Sequence, residues 1–530
     1  MVSQAYPVLD KEWRSTCRAV LGGEVGPLSG FGRWLSGLND PLALRKSESG
    51  ENVVMTSPYY CAGARAISQK NADFMRKFAP LSINEMKDID SLLDAVSQRA
   101  SYCGGIVIGN SGFIEKSSSV SDSFFVSDSV RVSGCKNVAH SQWMRLSENI
   151  FGTNEGGSSR FCIRCCVVFG NQRSFELWIS GNTSDSYYSY GLEDCRDCIF
   201  SFNLIGKSHC IGNLQLEKSK YAAIKSKLLA EIRQELEKNK GLPSLVDIIG
   251  REKPDYSAAL AAVKGLKPSP RDNDKSRLEE AFASASSVVL GERLSGIDKH
   301  AAWLSRHSII PRDSKSVLGM AKLQVSDYPG MKLLPANRLV TQEEASLLGE
   351  RLHAPAALAE SASLENAGEI LGSIAYFPPE RRIGTYKNLV ACQWGSQSSD
   401  CYRTVVCAHC KYCGFNAWPR SSENCYGCGI VYDSQFCFKC HDSVNLKRCL
   451  EVDSGRECSD TWFSHNVEAM QNCLFCFNTK SKRYAVGNAE VGKETFEKTK
   501  GIVREWLVSE LKSGKTPKLS VFNMACAGKQ

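Results

Sequence analysis

The sequence predicts an α+β protein made of two internally duplicated short-rung β-solenoids with a twelve-residue period, joined by a helical middle region and closed by capping helices. Three observations predict it. Cysteine recurs every twelve residues at Cys401, Cys413, Cys425, Cys437, Cys449 and Cys473, interrupted only by Thr461, and so sustained a period marks a repeat architecture. A second column of mostly small residues follows three positions later, at Thr404, Asn416, Cys428, Cys440, Val452, Ser464 and Cys476. The same phase returns 275 residues earlier without a gap: Ile114, Val126, Val138, Ile150, Cys162, Ser174, Ser186 and Cys198 take the places of the first column. Between the halves Cys135 matches Cys410, Trp143 matches Trp418 and Phe161-Cys162 matches Phe436-Cys437, which implies a duplication within the gene.

Each region follows from local signals. Residues 1–100 read as mixed and mostly helical, with 83–101 the best helical segment. Residues 101–213 carry the first solenoid copy. Residues 214–240 form a capping helix with Tyr221, Ile224, Leu228, Leu229, Ile232 and Leu236 at helical spacing. Residues 241–376 are a helical linker region. There 276–304 has helix-spaced apolar residues, Thr341-Gln-Glu-Glu344 opens a helix with a capping-box pattern, and 267–274 is a polar, proline-containing link. Residues 377–488 carry the second copy, and 489–530 a closing helix and tail. A helix laid over a last rung hides the open strand edge that invites aggregation.

Composition excludes more than it selects. The 530 residues leave room for several domains, and a net charge of +8 without dense Lys/Arg runs gives no strong nucleic-acid footprint. The opening residues lack a basic region followed by an apolar run, and no segment approaches eighteen apolar residues, so a soluble, cytoplasmic protein without membrane contact is expected, or a virion component if the gene is viral. Twenty-four cysteines in that setting predict thiols kept reduced, packed or bound to metal. None lies between Cys210 and Cys392, so the middle region follows another plan.

Two explanations compete for the cysteines. A twelve-residue rung is narrow inside, and cysteine serves there as a compact filler. Cys413 matches Val138, Cys425 matches Ile150, Cys428 matches Thr153 and Cys449 matches Ser174; a filler exchanges with such residues and a ligand does not. The metal reading rests on Cys425-x-x-Cys428 followed one rung later by Cys437-x-x-Cys440, four thiols able to converge on zinc at about 2.3 Å, with His441 as a substitute ligand. Cys407, Cys410 and Cys413 are a second zinc candidate. Beside the ladder runs a stripe of Tyr402, Tyr426, Phe438, Leu450, Trp462 and Leu474, which either packs under the chain's own helices, or docks the two solenoids together or binds another subunit. No catalytic triad, metalloprotease, phosphate-loop or dinucleotide signature is present, so no enzyme is expected.

The cysteine period resembles that of beetle antifreeze proteins, but no column is rich in threonine and ice binding is not implied. Cys473-Leu-Phe-Cys476 through Arg483-Tyr-Ala-Val-Gly-Asn488 is similar to the closing segment of cysteine-rich proteins encoded by uncultivated bacteria and their phages, departing from it at Ala485 and Gly487. That resemblance implies an architecture and no activity. The reading is therefore a non-enzymatic structural or assembly protein, a rigid platform for protein partners or self-assembly that suits a virus or phage particle. The alternative is a zinc-containing, nucleic-acid-associated protein.

Overall fold

The structure, a computed structural model, describes residues 3–319, 321–441, 443–444 and 448–529. Two stretches of short parallel strands dominate it. Each neighbouring pair is shifted along the chain by twelve residues: Ile114 pairs with Val126, Val126 with Val138, Val138 with Ile150 and Ile150 with Cys162. A second row does the same through Val120, Val132, Met144, Gly156 and Val168.

The chain bends at every third residue. Phe113, Lys116, Ser119, Asp122, Phe125, Asp128 and Arg131 all have positive φ, and the pattern runs on through both stretches. Left-handed backbone disfavours most side chains, so Asn, Asp and Gly are frequent at these corners, and Val167 and Ile179 occupy it against their preference. The residue after each corner points inward. Four inward columns result, two within strands and two between them, and the cores they form contain Val120, Val126, Val132, Cys135, Val138 and Met144 in one half and Cys401, Cys407, Cys410 and Cys413 in the other.

The columns between strands are polar for a specific reason. Ser129 Oγ accepts the Ser141 amide at 3.1 Å, Ser141 Oγ accepts the Thr153 amide at 3.0 Å, and each hydroxyl donates to the carbonyl two residues before it. At a corner the backbone ladder leaves an amide without a carbonyl, and a buried amide must be satisfied. Sulfur or an amide oxygen substitutes: Cys135 Sγ accepts the Ser147 amide at 3.4 Å, and Asn416 Oδ1 accepts that of Cys428 at 2.7 Å.

The expected fold class, two like β-solenoids of short rungs in an α+β chain, is corrected. Among the described residues, 107–215 form one sixteen-stranded sheet whose main path is twelve parallel strands, nearly closed and barrel-like. The ten-residue strand Gln172–Gly181 pairs with Arg160–Ile163 at one end and Cys166–Phe169 at the other, which fuses both rows into that sheet. Residues 381–490 instead divide into a nine-stranded and a four-stranded sheet, with strands of only two or three residues between Val406 and Val444. A twelve-residue period fixes the offset between neighbouring strands. It does not fix where strands merge, so two stretches with one period form different sheets.

The remaining elements cover the sheets. The helix Tyr6–Leu21 packs on the first sheet with Leu9, Trp13 and Val20 buried, Trp13 lying 5.3 Å from Phe151. The helix Lys218–Asn239 adds Tyr221, Leu228, Ile232 and Leu236 to the same core. In the middle region Ser276–Leu290 ends at Gly291, well short of residue 304, and the region also holds an antiparallel pair, Arg312–Lys315 with Lys322–Val325. Thr341 and Glu344 form a reciprocal capping box that starts the helix Gln342–Arg351. That helix sits so close to the first sheet that a Cβ on Gly349 would lie 2.0 Å from the Asn203 carbonyl. Cys61 and Cys526 form a disulfide that ties the N-terminal region to the C-terminal segment.

Candidate functional site

The structure places the candidate zinc thiols inside the ladder. Cys425, Cys428, Cys437 and Cys440 are buried in two adjacent inward columns, and each thiol donates to the carbonyl two residues earlier, over 3.4 to 3.7 Å. Cys407 donates to the Trp394 carbonyl at 3.0 Å, Cys410 to that of Ala408 at 3.2 Å and Cys413 to that of Lys411 at 3.5 Å. Burial pushes the thiols of Cys410, Cys425 and Cys440 up, while hydrogen bonds from neighbouring thiols pull those of Cys407, Cys413 and Cys437 down. His441 faces away from these columns, its ring 4.8 Å from Phe522. Among the described residues no group of three or more His, Cys, Asp or Glu is arranged to hold a metal ion.

The apolar stripe is also interior, packed under the chain's own helices. Tyr426, Phe438, Leu450, Trp462 and Leu474 are fully buried and Tyr402 nearly so. Phe282 approaches Tyr426 edge-on at 5.2 Å, Trp303 stacks on Phe438 at 5.9 Å, and Tyr402 donates to Asp298 Oδ1 at 2.8 Å. Val503 and Leu507 of the helix Lys493–Lys512 belong to the same core. Burying each such side chain contributes about 1.5–3 kcal/mol, and the chain's own helices supply the cover.

Between the two halves lies an open cleft of about 680 Å³. Its centre is a matched pair. Trp143 and Arg145 lie in the strand Gln142–Arg145, Trp418 and Arg420 in the strand Trp418–Arg420, at equivalent places 275 residues apart. The tryptophan rings meet across the cleft at 6.0 Å, and Arg145 lies 5.4 Å from the ring of Tyr432 in the opposite half. Arg131 covers the Trp143 ring at 4.5 Å. Register places Tyr432 one rung from Arg420 and Arg456 two rungs beyond Tyr432, so cation, aromatic and cation follow one another along one wall.

Among the described residues Arg145, Arg420 and Arg456 have no carboxylate within ion-pair distance, although Asp433 and Glu468 line the rim. Beneath the cleft Glu155 is fully buried beside Tyr328, and loss of water raises its carboxyl to about 8, so it is neutral at pH 7 and adds no negative charge. Among the described residues three guanidinium groups, Arg145, Arg420 and Arg456, against two rim carboxylates, with three aromatic rings, favour an anionic ligand that has planar parts.

Sequence reasoning passed over this site. The overlay of halves pairs Trp143 with Trp418, and the repeated Trp-x-Arg was the available signal; nothing in the chain indicated that the two copies face each other. Among the described residues no helix is long and apolar enough to cross a membrane. No protein-family model, curated protein or solved structure matches this chain.

Proposed function

We propose that this is a non-enzymatic binding protein, a stiff platform whose stacked sheets hold the cleft walls at fixed spacing for an anionic ligand or partner. One observation carries the reading: matched Trp-x-Arg units from the two halves confront one another around a 680 Å³ space in which Arg145 and Arg420 have no described acidic partner. The hydrogen-bonded corners behind the walls support rigidity, because preorganised sites lose less entropy on binding. Among the described residues the cleft's lining offers Asp433 and Glu468 as its carboxylates and neither histidine nor cysteine, a poor set for nucleophilic or acid–base chemistry.

Thermal unfolding with inorganic tripolyphosphate tests the reading. A saturating anion should raise Tm, since ligand at 100 times Kd stabilises by about 2.7 kcal/mol. R145A/R420A should abolish the rise, and no rise in the wild-type protein would overturn the reading.

A further inference from the structure

The arrangement of charge and rings along the cleft narrows the ligand class. On the second half's wall, Arg420 and Arg456 are three rungs apart, which at about 4.8 Å per rung is roughly 14 Å. Tyr432 stands between them, half-buried, with Arg145 of the opposite wall at its ring. Trp143 is likewise half-buried and forms the floor with Trp418. A single phosphate group cannot reach cations at both ends of this wall. A chain that alternates anionic groups with flat rings can.

We infer that the cleft binds a short single-stranded nucleic-acid segment, with phosphates on Arg145, Arg420 and Arg456 and bases against the exposed parts of Trp143 and Tyr432 that Arg131 and Arg145 do not cover. The inference rests on the anion-binding reading above. Single-strand sites elsewhere combine a basic groove with aromatic faces and tolerate many sequences, since every base has a π-face. Asp433 and Glu468 on the rim limit how closely a denser polyanion settles, and a duplex keeps its bases stacked away from Trp143 and Tyr432. The reading uses this chain's arginines and rings alone and needs no zinc.

The test is fluorescence anisotropy with a labelled ten-nucleotide single strand, a duplex of the same length, and tripolyphosphate and a mononucleotide as competitors. Three phosphate contacts give a slope of log K against log salt of about −2, from roughly −0.7 per contact on single strands. The single strand should bind at least tenfold tighter than the duplex, and the mononucleotide should compete only weakly. R420Q/R456Q should weaken binding tenfold or more and flatten the slope to near −0.7. If the double variant does not fold, R456Q alone should flatten the slope by one contact.

Failure has three distinguishable forms. Stabilisation by tripolyphosphate without oligonucleotide binding leaves the anion cleft and removes the nucleic acid. Loss of both removes both readings. Oligonucleotide binding that R420Q/R456Q and R456Q leave unchanged lies elsewhere on the molecule and overturns the assignment.

Discussion

The inward hydroxyl ladder makes a sharp prediction at Ser141. Its Oγ accepts the Thr153 amide at 3.0 Å and donates to the Ala139 carbonyl at 2.9 Å, and both Ser141 and Thr153 are fully buried. In Ser141→Ala the Ala139 carbonyl keeps the Gly152 amide at 3.0 Å, so the loss falls on one group, the Thr153 N–H. Orphaning a buried donor costs about 1–3 kcal/mol, and local opening of that amide becomes easier by the same amount. Since 1.4 kcal/mol is a factor of ten, Thr153 should exchange its amide hydrogen roughly 5- to 150-fold faster. The Glu148 amide, bonded to the Ser159 carbonyl at 3.0 Å, should change little. Ser141→Cys should recover part of the protection, because sulfur already fills this role at Cys135. Hydrogen exchange read by NMR decides it. Thr153 protection within twofold of wild type in Ser141→Ala, or equal loss at Thr153 and Glu148, would refute the claim that hydroxyls complete the corners.

Other consequences follow from buried charge, the disulfide and close packing. Lys439 and Glu451 form a 2.7 Å ion pair with side chains 0% and 1% exposed, so Lys439→Met, which strands the carboxylate, should destabilise by about 3–5 kcal/mol, while Lys439→Met/Glu451→Leu should cost less; urea midpoints compare them. Burial lowers His441 to about 3, so its folded state holds the neutral ring. Stability from that group is complete above about pH 6.5, the unfolded value, and is lost as pH falls toward 3, with a slope of at most about 1.4 kcal/mol per pH unit. His441→Gln should flatten the urea midpoint between pH 6.5 and 5, and an unchanged slope would contradict the assignment. Reducing Cys61–Cys526, or Cys526→Ser, should expose the segment around Phe522 and Met524 to limited proteolysis before the rest of the chain. Gly349→Ala should push the helix Gln342–Arg351 off Asn203 and lower Tm by several degrees, measured by calorimetry.

Particular residues mark how far the sequence could be read. Cys401 through Cys473 gave the register, because an inward column repeats once per circuit and small residues at that spacing have few other causes. Half of the columns escaped notice: Cys407, Cys410 and Cys458 are inward too, but serine, valine and methionine elsewhere in their columns blur the repeat. The corners were illegible for a different reason. Phe113, Arg131, Trp143 and Val167 take positive φ without being residues that favour it, so composition gave no sign of a bend every third residue. Paired C-x-x-C spacing pointed to zinc at Cys425–Cys440, yet the same spacing is what two neighbouring columns require.

By itself the sequence determined the offset of twelve between neighbouring strands, the small inward residues, the kinship of the two halves and the helices around them. These are local or periodic properties, and a repeated side-chain size imposes itself rung by rung. Only the tertiary structure decided that Gln172–Gly181 fuses two rows into one nearly closed sheet, that Phe438 and Trp462 lie beneath the chain's own helices, and that Trp143 and Arg145 face Trp418 and Arg420 across a cleft. Contacts between residues 275 positions apart depend on how whole sheets pack, and no local pattern in the chain encodes that distance.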